Sequence, residues 1–217
     1  MAPDTRTRET LIGLTGSYCA GKNYIARLLE ARGFEVLDVD KLGHRVIEAE
    51  ADAILKRFGA SLRGPDGTID RRVLGERVFG RPEELAALEA IVHPGVNRMT
   101  SEWIRGGEKP GVINAALLHR SVAFGELDGI ILVRAPALTR FFRAWKRDRL
   151  PPLQLIRRFK SQKNFMSQYL TEKADIYIID NKGCFNFCAP LYRRSLENRI
   201  NEILSRLKIP GNSSGIN

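Results

Sequence analysis

Residues 16–23 read Gly-Ser-Tyr-Cys-Ala-Gly-Lys-Asn and satisfy seven of the eight positions of the phosphate-cradling pattern G-x-x-x-x-G-K-[ST]. Chemistry of this kind rests mainly on backbone. N–H groups of Gly16, Ser17, Tyr18, Cys19, Ala20, Gly21 and Lys22, with those of Asn23 and Tyr24 at the start of a helix, would face an anion. Gly16 and Gly21 permit the turn and a close backbone approach. Lys22 would set its ammonium on the β- and γ-phosphates of a nucleotide. The last position normally carries a hydroxyl that touches Mg²⁺, and here it is Asn23. An amide oxygen is also a hard-cation ligand, reaching about one bond further. Asn23 therefore implies altered metal geometry with nucleotide binding retained. A second group follows at Leu37-Asp38-Val39-Asp40. Alternation along a strand would put both carboxylates on one side, one to take a proton from an attacking hydroxyl and one to hold magnesium through water. The competing reading is that Asp40 caps a helix starting at Lys41.

These groups need elements to carry them. Residues 11–15, 34–39, 111–118, 129–133 and 175–179 are short, almost continuously apolar runs. Such runs suit strands covered on both faces by helices, and so a parallel, doubly wound sheet. Residues 22–32 have helical spacing, with Ile25, Leu28 and Leu29 on one face and Gly33 as the stop. The expected fold class is α/β, a five-stranded parallel sheet with helices on both faces. Between the second and third strands lies a helical insertion, residues 41–107, in which residues 72–91 are periodic but broken near Gly80 and Pro82. A second helical excursion, residues 137–173, separates strands four and five and contains Pro151-Pro152. The core is then residues 10–40, 108–136 and 174–208, and residues 209–217 read as a flexible tail.

Composition narrows the classes. A chain of 217 residues with 43% hydrophobic content can build a sizeable core. No apolar run approaches the ~20 residues that cross a bilayer, so no membrane partner is expected. The polar N-terminal stretch lacks the apolar stretch of a secretory signal. Three cysteines without metal-like spacing (Cys19, Cys184 and Cys188) suit a reducing cytoplasm. Net charge is +10, and much of it falls in residues 134–163, which hold Arg140, Arg143, Lys146, Arg147, Arg149, Arg157, Arg158, Lys160 and Lys163. That cluster suits a polyphosphate ligand or a solvated helix surface; nucleic acid is not the expected partner.

Taken in order, the motifs resemble those of the dephospho-coenzyme A kinases. Ile12-Gly13-Leu14-Thr15-Gly16 and Gly21-Lys22 match the family's opening IGLTGGIGSGKST, and Val36 to Asp40 match its VIDAD stretch. Arg57-Phe58-Gly59 stands at RFG, and Asp66-Gly67-Thr68-Ile69-Asp70-Arg71 at DGxLDR. Leu74, Val78 and Phe79 keep the LxxxVF spacing, His93-Pro94 the HPxI step, and Leu117-Leu118 the end of PLL. Arg143, Arg147 and Asp148 match RxxxRD, with Gln162 at the family spacing, and Ala174-Asp175, Ile179-Asp180-Asn181 and Gly183 match ADxxIDNxG. The resemblance spans residues 11–183. Departures are Asn23, His44 for an arginine with Arg45 beside it, Ala116 for a proline, and Arg120 for a glutamate. The usual arginine pair between Gln162 and Ala174 is also missing.

The resemblance implies ATP-dependent phosphorylation of the 3′-hydroxyl of dephospho-coenzyme A, with Mg²⁺. It implies that the 41–107 insertion holds the acceptor and that residues 137–173 form a lid. Asp40 would be the base, with Lys22 and Arg147 as its catalytic companions, and Asp38 would join Asn23 around the metal. Arg143 and Arg147 would cover the phosphates, and Asn181 and its neighbours would meet adenine. His44, Arg45, His93 and Leu118 would contact the acceptor. Two alternatives stay open: a related kinase with another small acceptor, or a nucleotide-binding module whose catalysis has lapsed. The sequence leaves the oligomeric state unknown.

Overall fold

The computed structural model describes residues 8–149, 151, 154–156, 159, 175–183 and 189–207. The expected tail, much of the second half of the expected lid (Arg157, Arg158, Lys160, Gln162 and Lys163 included), and Cys184 and Cys188 lie outside the described residues. Two compact units are present, one formed by Met1–Leu37 and Ile104–Asn217, the other by Asp38–Trp103.

The first unit carries the sheet. Its strands are β1 (Leu11–Gly16), β2 (Glu35–Asp38), β3 (Gly111–Asn114), β4 (Gly129–Arg134) and β5 (Ile176–Asp180), in the order β2-β3-β1-β4-β5. β1 is central and parallel to both β3 and β4, with Leu14 beside Asn114 and Gly16 beside Val133. β4 runs parallel to β5, ending with Arg134 beside Asp180. Parallel strands bury both faces, which is why every residue of β1 is buried. Ile12, Leu14, Ile131, Val133 and Ile179 pack on one face against helix α1 (Lys22–Glu30) and the last helix, α7 (Ala189–Arg206), through Ile25, Leu28, Leu29, Leu196, Ile200 and Ile203. On the other face, a Cβ added to Gly13 would come within 2.5 Å of Leu118 and 2.8 Å of Leu127.

Three sequence readings change here. The third strand stops at Asn114 instead of continuing to residue 118, and the chain turns through short 3₁₀ segments, Leu118–Arg120 and Val122–Glu126. Leu118 is therefore fully buried against the sheet, and exposed Leu117 is the leucine of this step that reaches the surface. A continuous apolar run does not tell strand from buried turn. The aspartate argument changes as well. β2 ends at Asp38, and helix α2 (Val39–Ala49) begins at once. Asp38 is its N-cap, accepting from the backbone N–H of Lys41 at 3.2 Å, while Asp40 lies exposed in the first turn. Capping thus falls to Asp38, and strand alternation does not relate the two carboxylates.

The second unit is helical: α2, α3 (Ala51–Phe58), α4 (Arg71–Val78) and most of α5 (Pro82–Arg105). Ile54, Phe58, Leu62, Ile69, Leu74 and Val78 form its own core. Asp70 caps α4 through the N–H groups of Arg72 and Val73. Gly80, at φ 76°, separates α4 from Pro82, and the missing N–H of Pro82 costs nothing at a helix start. Asp66 accepts from both the N–H and the hydroxyl of Thr68, and these bonds hold its carboxyl below the usual carboxylate range. The His93-Pro94 step lies inside the 24-residue α5. Pro94 removes one ladder hydrogen bond, but next to it Gly95 is buried so close to Val46 that an added Cβ would stand 2.7 Å from a valine methyl. That packing carries the helix through the step.

Candidate active site

At the carboxyl end of β1 the chain turns into α1. Gly16 is buried against β4, where a Cβ would lie 2.6 Å from the carbonyl oxygen of Val133, so only glycine fits. The N–H of Ala20 closes a turn on Ser17 O at 2.9 Å, and Cys19 takes a left-handed φ of 59°. Gly21, at φ 96°, is the N-cap of α1, and no side chain caps that helix. Its first turn carries no acidic residue. A glycine-lined turn running into a helix start without a side-chain cap is an anion cradle. Lys22 and Asn23 are the first two residues of α1. Tyr24, the third, packs its side chain partly against the core, which leaves its backbone as the part facing the cradle.

The cradle is held from behind by residues distant in sequence. Asn181, just past β5 and 3% exposed, donates from Nδ2 to Ala20 O at 2.7 Å. Its Oδ1 accepts from Tyr192 Oη of α7 at 2.8 Å and from Arg143 Nη2 at 3.1 Å. Arg143, on helix α6 (Ala137–Asp148), also donates from Nη1 to Ala20 O at 3.1 Å and Cys19 O at 3.4 Å. One turn on, Arg147 pairs with Asp148 at 2.7 Å and lies 5.2 Å from the Tyr18 ring, while the Tyr18 hydroxyl donates to Asp148. Arg140 stacks over Phe159 at 5.0 Å; burial lowers its guanidinium pKa, and the electrostatic interaction with Cys19 partly opposes the shift. Arg134 is taken up by a bidentate pair with Asp180, both contacts at 3.0 Å.

Sequence reasoning did not foresee that the Asn181 side chain is a brace for the loop. Three of its four hydrogen-bonding positions are used inside the protein. Asn181→Ala should therefore leave Ala20 O, Tyr192 and Arg143 short of partners and cost about 1–3 kcal/mol. Urea unfolding checks this as a lower midpoint at unchanged slope, and Tyr192→Phe should cost less.

Asn114 was also missed. It closes β3, is 2% exposed, and donates from Nδ2 to Asn23 Oδ1 at 3.2 Å. A polar residue ending an apolar strand at the carboxyl edge was the available signal. The structure thus brings together residues 16–24, Arg143, Arg147 and Asn181 in the first unit, with Leu118 in its core. Asp38 ends β2 and caps α2, Asp40, His44 and Arg45 lie on α2 and His93 on α5; Asp40, His44, Arg45 and His93 are exposed. Among the described residues, no helix is long and apolar enough to cross a membrane.

A parallel sheet of order β2-β3-β1-β4-β5 with a glycine-lined anion loop between its central strand and α1 defines a P-loop kinase fold. The sequence profile of the family described as Dephospho-CoA kinase matches residues 10–186, and the chain belongs to that family. A dephospho-CoA kinase of Treponema pallidum is 34% identical over 184 residues, covering 80% of this chain and 87% of that protein. One from Halalkalibacterium halodurans is 32% identical over 206 residues, covering 92% and 97%. A crystal structure from Thermus thermophilus superposes with a TM-score of 0.72 at 32% identity, covering 89% of this chain and 97% of the other.

Proposed function

We infer that the chain is an ATP-dependent kinase that phosphorylates the 3′-hydroxyl of dephospho-coenzyme A, giving coenzyme A and ADP. The observation that carries this reading is the family match over residues 10–186, which takes in the loop, the Asp38–Asp40 segment and the α6 arginines together. Phosphoryl transfer asks a protein mainly for positioning and charge neutralisation. The 16–24 backbone and the α1 N-terminus bind the phosphates of ATP, and Lys22 neutralises charge at the β- and γ-positions. Arg143 keeps the loop in its binding shape through the carbonyls of Cys19 and Ala20. Arg147 supplies a further cation beside Tyr18, and the adenine lies against backbone following Asn181. Asp40 takes the proton from the acceptor's 3′-hydroxyl. The helical unit, with His44, Arg45 and His93 exposed on it, supplies acceptor contacts; on the first unit, exposed Leu117 replaces buried Leu118 as the leucine available to a ligand.

The oxygen donors of the first unit fit a hydrated hard cation: the Asn23 amide and the Asn114 Oδ1, which is buried without a hydrogen-bond partner among the described residues; Asp38, which caps α2, is the carboxylate that the reading adds to them. A Mg²⁺ ion held by these oxygens would supply charge neutralisation at the phosphates. The reading also makes the protein cytoplasmic.

An acceptor panel tests it. Purified protein with ATP and Mg²⁺ should release ADP with dephospho-coenzyme A at least about 10³-fold faster than with adenosine or a simple sugar, since a site built to bind polar groups rejects acceptors lacking them by ~10⁴–10⁵. Comparable rates with another acceptor would move the assignment to a related kinase. Tight ATP binding with no ADP release would mark a lapsed enzyme.

A further inference from the structure

The Asn23–Asn114 contact goes beyond a substituted loop residue. Asn23 sits exposed on the first turn of α1, where a two-torsion amide left alone samples several orientations. Asn114 is almost fully buried at the end of β3, its backbone fixed in register beside Leu14. The bond from Asn114 Nδ2 to Asn23 Oδ1, at 3.2 Å, ties the mobile amide to the rigid one. A carbonyl oxygen has two lone pairs, so Asn23 Oδ1 keeps one for a cation or its water. Asn114 Oδ1 is buried and has no hydrogen-bond partner among the described residues. A buried acceptor in that state is destabilising, and what satisfies it must be a donor. Water held by a hard cation presents O–H donors outward.

We propose that Asn114 is a positioning residue that aims the Asn23 amide oxygen at the magnesium of the bound nucleotide, while its own Oδ1 accepts from a water of that ion. The two asparagines act as one unit, replacing the hydroxyl that the loop pattern carries at position 23. This rests on the kinase reading above. It follows that Asn23→Thr alone does not improve the enzyme. A threonine hydroxyl is shorter, and its oxygen does not reach the Asn114 amide where the Asn23 oxygen did, so the buried Nδ2–H loses its acceptor.

The test separates a positioning role from a structural one. ATP binding is measured by calorimetry with excess Mg²⁺ and again in EDTA, for the native chain, Asn23→Ala, Asn114→Leu and the double variant. Leucine matches asparagine in size and removes an unsatisfied buried group, so the melting temperature of Asn114→Leu should hold or rise. Its affinity for ATP with magnesium should nevertheless fall about tenfold, with less than twofold change in EDTA. Asn23→Ala should show the same pattern, and the double variant should lose no more than either single change. Additive losses, equal losses with and without magnesium, or an Asn114→Leu affinity within twofold of native would each overturn the proposal while leaving the kinase assignment intact. A native chain that binds no ATP with magnesium would overturn both. If Asn114→Leu melts below the assay temperature, Asn114 is a structural residue and the proposal fails.

Discussion

Asp40→Asn should lower kcat for coenzyme A formation by about 10²- to 10⁴-fold, the range expected when a positioned general base is lost. The affinity for ATP should stay within about twofold, because the loop and Lys22 bind the nucleotide. Asparagine keeps the size of the side chain and some helix-start compatibility. Asp40 is exposed in the first turn of α2, and the capping bond there belongs to Asp38. The fold should therefore lose only about 0.3–1 kcal/mol, the worth of one carboxylate near a helix N-terminus. A steady-state assay with calorimetric ATP binding separates these effects. A kcat loss under tenfold would remove Asp40 from the role of base. Asp38→Asn provides the contrast: it should cost stability through α2 as well as rate.

Lys22→Met should reduce kcat/KM for ATP by about 10²- to 10³-fold, comparable to removing one preorganised donor from a developing charge. Lys22 opens α1 directly after the left-handed Gly21, so its place on the helix is set by backbone. Methionine keeps the length of the stem and has nearly the helix propensity of lysine. Thermal melting should consequently change little while activity collapses. Losses in kcat and in ATP affinity are both expected, because an ammonium on the β- and γ-phosphates acts in the ground state and in the transition state. A variant retaining a tenth of native activity would mean that Lys22 does not reach those phosphates.

The sheet was legible because its signal is local. The runs that became β1, β4 and β5 are apolar enough for strands buried on both faces, and their bounds moved by no more than a residue or so. The 16–23 loop was legible for the same reason, since a glycine-lysine step between a strand and a helix carries its own geometry. Other features depend on distant partners. Asn181 reads as one residue of a motif, yet its side chain meets Ala20, Arg143 and Tyr192, contributed by three other parts of the chain. Arg8 looks like part of a polar N-terminal stretch. Its side chain is 1% exposed and bonds to Glu35 and to the carbonyl of Lys109, each at 2.6 Å. Pairing on that scale leaves no periodicity to read. The Asp38–Asp40 geometry failed as a strand argument because one capping bond, from Lys41 N–H to Asp38, moved the helix start upstream by two residues. Pro94 inside α5 is likewise not legible locally, since the packing that accompanies it, Gly95 against Val46, joins residues far apart in sequence.

The central claim is that a phosphoryl group passes from ATP, held on the loop that ends in Lys22, to the 3′-oxygen of dephospho-coenzyme A. Phosphorus NMR of the reaction tests it most directly. As ATP is consumed, one new monoester resonance should grow in step with ADP, with coupling that places it on the ribose 3′-carbon, and both should grow at least about 100-fold more slowly with Lys22→Met. Inorganic phosphate in place of the monoester, or a phosphate on any other oxygen of the acceptor, would contradict the account.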